Sequence, residues 1–359
     1  MTSVNFVTII KWKDRWTVRR RMFGITVALS FFCAFLLSGC HTKEPISQSG
    51  FYLNTFVTVT LYDSSDTALL EGCMELCRMY EQIFSRTDEN SELYRLNHGL
   101  LSDNDGTSKI SDSLYELISL GIAYGGLSGG ALDISIAPVS SLWDFSSGEN
   151  QDVPESRIPQ ETQVAQGLSL VDYQKITLPG ENQIILPEGM ALDLGAIAKG
   201  YIADRIKEYL VEQGVNSAII NLGGNVLCIG QKPGGQGFQI GIQQPFADRN
   251  ETAAVMTLSD TSVVTSGIYE RYFTTENGVF YHHILDSNTG YPCDNGLISV
   301  TIVSKSSAAA DALSTACFCL GLEDGMALLD SLPDVYGVFI TEDREMHYSE
   351  GFLEAIPVS

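Results

Sequence analysis

Apolar and polar residues change their spacing several times along this chain of 359 residues. From Phe51 to Tyr62 they alternate, with Thr and Val prominent, which predicts a β-strand. From Thr67 to Phe84 apolar side chains recur every three or four residues and stop before Ser85-Arg86-Thr87, which predicts a helix. Ser113 to Tyr124 repeats that pattern and is halted by Gly125-Gly126. An apolar stretch then runs to Trp143, and the polar, proline-containing residues 144–160 read as a surface excursion. Ile176–Leu178 and Gln183–Leu186 predict a hairpin, and Ile197–Gln213 a helix closed by Gly214. Ala218–Leu222 is a short apolar strand entering Gly223-Gly224, and further strands follow up to Val303. A helix over Ala308–Leu320 precedes a last helix and hairpin. Strands and helices do not alternate strictly, so the fold class is α+β rather than a doubly wound sheet.

The first 40 residues are of another kind. Arg19-Arg20-Arg21 precedes an apolar run from Met22 to Leu37, too short for a comfortable membrane span and suited to a signal sequence. Leu37-Ser38-Gly39-Cys40 follows and resembles a bacterial lipobox, in which Cys40 is lipidated and becomes the mature N-terminus. Residues 1–39 are then a signal peptide, 40–50 the lipidated cysteine and a polar tether, and 51–359 the body of the protein. The alternative, an uncleaved N-terminal anchor, also puts the body outside the cytoplasm. Met22 is a second candidate start, because the preceding segment is long for a basic leader.

Charge narrows the choice of ligands. Without the first 39 residues the chain keeps 15 basic and 43 acidic side chains. Such a surface repels nucleic acid and anionic lipid heads. A phosphate-bearing ligand must therefore be held by local positive charge: a lysine, a metal or backbone N–H groups. Cys73, Cys77, Cys228, Cys293, Cys317 and Cys319 do not read as a disulfide framework and are expected as buried free thiols.

Four clusters carry candidate chemistry. Gly129-Gly130-Ala131-Leu132-Asp133 allows close backbone approach to a ligand, with a carboxylate beside it. In Asp193-Leu194-Gly195-Ala196-Ile197-Ala198-Lys199-Gly200 a loop enters a helix, a place that suits an anion, and Lys199 adds a charge. The spacing is not that of a P-loop. Asn221-Leu222-Gly223-Gly224-Asn225 is the third. The fourth joins His282-His283-Ile284-Leu285-Asp286 to Asp311-Ala312-Leu313-Ser314-Thr315. Asp311 and Thr315 stand four apart on one helix, so both oxygens share a face. Oxygen ligands of this kind suit a hard cation such as Mg²⁺. The paired histidines lack the further ligands that zinc needs.

In this order the clusters resemble the ApbE-type FAD:protein FMN transferases, from about Phe51 to about residue 350. Leu53-Asn54-Thr55-Phe56 looks like that family's Met-Gly-Thr opening, and Ser91 to Asn97 like its S-E-[IL]-x-x-[LF]-N element. Gly129–Asp133 resembles G-G-A-F-D, Asp193–Gly200 resembles D-L-G-[GA]-I-A-K-G, and Asn221–Asn225 resembles N-x-G-G-N. Thr265-Ser266-Gly267 with Tyr269, His283–Pro292 and Ala310–Thr315 complete the set. Two positions depart from the family pattern: Leu53 stands where Met is frequent, and Thr87 where some members have an aromatic.

The resemblance implies a single T-fold-like α+β domain of mixed, largely antiparallel sheets with packed helices. It implies Mg²⁺-dependent transfer of FMN from FAD to a Ser or Thr hydroxyl, with release of AMP. Carried over by position, Asp311 and Thr315 hold Mg²⁺ with the Ala196 carbonyl and Ser314. Leu53, Thr87, Ala131, Leu132, Asp133, Asp193, Lys199 and Ile284 line the FAD site. His283 assists phosphoryl transfer as a base, with Asp311 the second catalytic residue and His282 a weaker candidate. The acceptor is a separate exported or membrane-anchored flavoprotein with a D-x-x-[ST]-G-A-[ST]-type segment, and the enzyme sits outside the cytoplasm on a lipid anchor. Two other functions fit the same residues: a Mg²⁺-dependent FAD pyrophosphatase, and a flavin-binding lipoprotein without catalysis.

Overall fold

The computed structural model describes residues 44–145, 152–248 and 251–359. The expected signal peptide and Cys40 lie outside them. Glu44–Ser359 form one compact unit.

The chain opens with β1 (Ile46–Tyr52) and β2 (Thr55–Leu61), paired antiparallel from Ile46↔Leu61 to Tyr52↔Thr55. Two expectations are corrected here. The polar residues Ile46–Gly50, read as tether, are strand, because β1 is an outer strand whose polar side chains sit in water. The alternation from Phe51 to Tyr62 is two strands rather than one, because Leu53 and Asn54, at φ 52° and 57°, make a tight turn between them.

Next come α1 (Thr67–Phe84), α2 (Glu92–Asn97), β3 (Ser108–Lys109), α3 (Asp112–Leu127), α4 (Ala137–Ser140) and β4 (Asp152–Val153). After α5 (Glu161–Leu168), β5 (Thr177–Gly180) and β6 (Gln183–Ile185) form the expected hairpin, and α6 (Ala198–Glu212) follows. The second half is mostly strand: β7 (Ser217–Leu222), β8 (Asn225–Gly230), β9 (Phe238–Gln243), β10 (Thr252–Leu258), β11 (Ser262–Gly267), β12 (Tyr272–Thr275), β13 (Phe280–His282) and β14 (Leu297–Ser304). The chain ends with α7 (Ser307–Asp330), β15 (Tyr336–Thr341), β16 (Met346–Tyr348) and α8 (Phe352–Ala355).

Eight strands form one antiparallel sheet in the order β1-β2-β7-β8-β11-β14-β15-β16. One face is covered by α1, α3, α6 and α7, through residues such as Leu70, Leu117, Ile206 and Leu313. The opposite face packs on the β9–β10 hairpin and the C-terminal segment, through Phe238, Met256 and Phe352. Every residue of β14 is buried, as expected for a central strand covered on both faces. α7 is apolar along its length for the same reason. It breaks at Gly321 (φ 82°, ψ −177°), which separates the two consecutive helices expected from the sequence.

The N-terminal motifs serve as local fasteners. Ser91 caps α2 by accepting from the Tyr94 N–H at 3.1 Å. Glu92 accepts from the Ser111 N–H at 2.6 Å and its hydroxyl at 2.5 Å, tying α2 to the start of α3. The Asn97 amide exchanges two hydrogen bonds with Leu192, at 2.9 and 2.8 Å, and so anchors the segment that leads into Asp193.

Candidate active site

α6 and α7 cross at Gly200. A Cβ there would lie 2.2 Å from the Ser307 carbonyl oxygen, so only glycine permits this approach. The crossing brings each helix's carboxylate to the other's N-terminus. Asp204 on α6 accepts from the Ser307 N–H at 2.9 Å, the Ala308 N–H at 3.0 Å and the Ser306 hydroxyl at 3.0 Å. Asp311 on α7 accepts from the Gly200 N–H at 2.8 Å. The other Asp311 oxygen is 3.4 Å from Lys199 Nζ, and the carboxylate is almost fully buried. Lys199 also donates to the Gly195 carbonyl at 3.1 Å, so its charge folds back over the loop that enters α6.

Around this pair lies a knot of hydroxyls. Ser266, at the end of β11, is 2.8 Å from Ser314 Oγ and 3.1 Å from Thr315 Oγ1. Ser314 also donates to the Asp311 carbonyl at 2.9 Å. The expected pair Asp311 and Thr315 is thus one turn apart on a real helix, with Ser314 beside it. Ser266 received no role from the sequence alone. Its place in Thr-Ser-Gly was the only signal, and β11 lying beneath α7 supplies the rest. The donors are a buried carboxylate and hydroxyls, a set that fits a small hard cation and not a soft one. Among the described residues no group of three or more His, Cys, Asp or Glu side chains could hold a metal.

The two histidines differ in their hydrogen-bond partners. His282 is buried. Its Nε2 meets the Cys293 carbonyl at 3.0 Å and its Nδ1 meets the Ile284 N–H at 3.3 Å. Both ring nitrogens are therefore engaged, and burial pushes its pKa down to about 4. His283 keeps part of its surface open. Its Nδ1 lies 3.2 Å from the Arg271 carbonyl. Burial of the ring, then Arg271, His282 and Lys199 in that order, hold its pKa below the ordinary imidazole value. The ring is neutral at neutral pH. A carbonyl can only accept, so Nδ1 carries the proton and Nε2 keeps a free lone pair.

The remaining expected FAD-site residues are placed as follows. Leu53, in the β1–β2 turn, donates its N–H to Glu81 Oε1 at 2.7 Å, and the neighbouring Asn54 carbonyl accepts from Arg271 at 3.4 Å. Gly129 and Gly130 have φ 62° and 91°, so Ala131 and Leu132 follow a turn that needs glycine, and Leu132 points inward. Asp133 is engaged locally. One oxygen accepts from the Ser135 N–H and hydroxyl at 2.8 and 2.6 Å, and the other from the Tyr173 N–H at 3.1 Å. Asp193 accepts from Ser140 at 2.9 Å and Gly195 N–H at 3.0 Å, and it pairs with Arg86 at 3.3 Å. The carbonyl of Ala196 belongs to the loop under Lys199, and Ile284 is buried beside His283.

Thr87 is exposed on a cleft of about 590 Å³, lined also by Arg86, Tyr94, His98, Pro138 and Trp143. The cleft adjoins Asp193 through Arg86, and its lining stops short of Lys199, Asp311 and His283. Tyr94 and His98 stack in it with ring centres 3.8 Å apart. They are aromatic surface that the sequence reading did not single out.

Lys199 at a helix entrance, beside the buried Asp311 and near the Ser266, Ser314 and Thr315 hydroxyls, is an arrangement that suits a phosphate-bearing ligand. The chain belongs to the ApbE family, whose model matches residues 53–340. It is 35% identical to the FAD:protein FMN transferase of Klebsiella pneumoniae (strain 342) over 302 residues, which is 84% of this chain and 90% of the relative. It is 32% identical to the FAD:protein FMN transferase of Treponema pallidum (strain Nichols) over 331 residues, 87% of this chain and 89% of the relative. Similar solved structures include the flavin transferase ApbE of Vibrio cholerae, with TM-score 0.75 and 26% identity, and the ApbE protein of Thermotoga maritima, with TM-score 0.76 and 30% identity. Each comparison covers 87% of this chain and 99% of the other.

Proposed function

We propose that this chain transfers FMN from FAD to a Ser or Thr hydroxyl of another protein and releases AMP. The observation that carries the reading is the joint placement of Lys199, Asp311 and the Ser266–Ser314–Thr315 hydroxyls, with His283 carrying a free Nε2 lone pair. A passive flavin carrier has no need of that set. The names of the relatives support the same activity.

The acceptor oxygen forms a bond to the phosphorus next to riboflavin. The phosphoanhydride bond to AMP breaks, and the bridging oxygen leaves with AMP. The hydroxyl proton passes to His283 Nε2, while Nδ1–H stays on the Arg271 carbonyl and keeps the ring aimed. Lys199 contributes positive charge where the phosphates carry negative charge. Asp311 with Thr315, Ser314 and the Ala196 carbonyl would hold Mg²⁺, which polarises phosphoryl oxygens and stabilises the leaving charge. Leu53, Ala131–Asp133, Asp193 and Ile284 would border the FAD. Thr87, with Tyr94 and His98, would present the cleft to one ring of the dinucleotide.

The test is to incubate the chain with FAD, Mg²⁺ and an acceptor domain bearing a D-x-x-[ST]-G-A-[ST]-type segment, then weigh the acceptor by intact mass spectrometry. A gain of one FMN phosphoester, lost on chelation, is expected. AMP and free FMN beside an unmodified acceptor would replace the transferase with a pyrophosphatase. We further propose that Cys40 carries lipid and holds the enzyme on the outer side of the bacterial cell membrane. Metabolic labelling with a fatty-acid analogue should then mark the chain and not its Cys40→Ala variant, and an unlabelled parent chain would refute the lipid anchor.

A further inference from the structure

Six cysteines occur among the described residues, and four of them have settled surroundings. Cys73 and Cys77 lie buried one helical turn apart, and Cys228 is fully buried. Cys317 is sealed in the core with its sulfur toward the Gly325 carbonyl at 3.7 Å. The other two differ. Cys293 Sγ and Cys319 Sγ are 3.3 Å apart, although they come from separate elements. Cys293 ends the loop that follows His283, and Cys319 lies on α7 one turn past Thr315.

The backbone around both sulfurs is fastened independently of them. The Cys293 N–H donates to the Ile284 carbonyl at 3.0 Å, and its carbonyl accepts from His282 at 3.0 Å. Asn295 donates to the Phe318 carbonyl at 2.6 Å, next to Cys319, where the break at Gly321 leaves helix carbonyls without partners. Cys319 Sγ also approaches the Leu285 carbonyl at 3.8 Å. These bonds hold the two chain segments in register, so closing the sulfur gap to a bond needs side-chain rotation of about 1 Å and no backbone rearrangement. A shared metal is a poor alternative: among the described residues no group of three or more His, Cys, Asp or Glu could hold one, and His282 beside Cys293 has both ring nitrogens engaged.

We propose that Cys293 and Cys319 form a disulfide that clamps the His283 loop to the helix bearing Asp311 and Thr315. The oxidant is an external disulfide, either a small one such as oxidised glutathione or that of an exported thiol oxidoreductase. One cysteine attacks it to give a mixed disulfide and one released thiol. The second cysteine then displaces the other thiol. Overall, two cysteine thiols and one external disulfide become one protein disulfide and two external thiols. Cys319 remains partly accessible, which gives the oxidant a route in. The crosslink closes a loop of about 25 residues, long enough to restrict the unfolded chain appreciably. This inference is independent of the transferase reading, because it concerns the fold and is read out without turnover.

The test uses the full-length chain, extracted in detergent and incubated with excess oxidised glutathione. Free thiols are alkylated in acid and the chain is digested for mass spectrometry. The expected result is a linked peptide pair joining Cys293 to Cys319, with Cys73, Cys77, Cys228 and Cys317 alkylated. The thermal midpoint should rise by about 5 °C over the reduced chain, and Cys319→Ser should abolish that rise. Alkylation of both Cys293 and Cys319 after oxidation would overturn the proposal. So would a linked peptide joining other cysteines.

Discussion

Asp311 is asked to do two things that can be separated. It accepts from the Gly200 N–H, which is a matter of stability, and it carries charge beside Lys199, Ser314 and Thr315, which is a matter of turnover. Asp311→Ala removes both. The Gly200 N–H is then stranded inside the helix crossing, at a cost of about 1–3 kcal/mol. Losing the Lys199 partnership adds less than about 1 kcal/mol, since 28% of the lysine side chain is exposed and water screens it. The sum is about 1–4 kcal/mol, read as a lowered denaturation midpoint at unchanged slope. Asp311→Asn keeps an acceptor for Gly200 and loses only the charge, so its cost should stay near 1 kcal/mol. Both variants should transfer FMN at least about 100-fold more slowly, the scale of losing one electrostatic contact to the transition state. Transfer is assayed by acceptor mass across a Mg²⁺ titration. If Asp311→Asn transfers at the parent rate, the cation assignment fails. If Asp311→Ala unfolds where the parent does, the bond to Gly200 does not contribute as described.

Three other perturbations test neighbouring claims. His283→Ala should slow transfer while FAD affinity, followed by flavin fluorescence, stays close to the parent's; lost affinity with normal transfer at saturation would make His283 a binding residue instead. Gly200→Ala would set a methyl 2.2 Å from the Ser307 carbonyl oxygen. Despite the better helix propensity of alanine it should cost about 2 kcal/mol or more in urea unfolding, and a neutral substitution would mean the helices cross elsewhere. Burial holds the His282 pKa at about 4 in the fold, against the ordinary imidazole value of 6.5. The unfolded chain therefore binds the proton first, and stability present above pH 6.5 is lost as pH falls toward 4, by about 3 kcal/mol. His282→Gln should flatten that slope relative to the parent, and parallel slopes would refute the assignment.

The helices were legible because their apolar periodicity is long and their ends carry ordinary signals. α1 spans Thr67–Phe84 as expected, and Gly214 follows α6 at φ 83°. β1 was not legible, since Ser47, Gln48 and Ser49 form an outer strand with little to bury, and such a strand resembles a linker in composition. Within the site, the Asp311–Thr315 spacing could be read from helix geometry alone. Ser266 could not, because its partners are more than forty residues away in sequence and meet it only once β11 pairs with β14 under α7. The division between His282 and His283 also needed the fold. They are chain neighbours, and the period-two alternation at the end of β13 sends one ring inward to two backbone partners and leaves the other with a free nitrogen.

The α6–α7 crossing explains why these motifs travel together. Gly200 and Asp204 are four apart on α6, and Ser307 and Asp311 are four apart on α7, so each pair occupies one helical face. The faces meet at the glycine. Asp204 then reaches the first N–H groups of α7, and Asp311 reaches an N–H in the first turn of α6. Neither helix could slide by a residue without breaking these bonds, which would leave the buried Asp311 carboxylate without its Gly200 partner. That fixed register is what sets Lys199 at 3.4 Å from Asp311, and Thr315, one turn on, within reach of Ser266. Asp311 is the residue common to the crossing and to the proposed chemistry. A substitution at Asp311 should therefore rarely change rate without also changing stability, and the isosteric Asp311→Asn change is the cleanest way to tell the two apart.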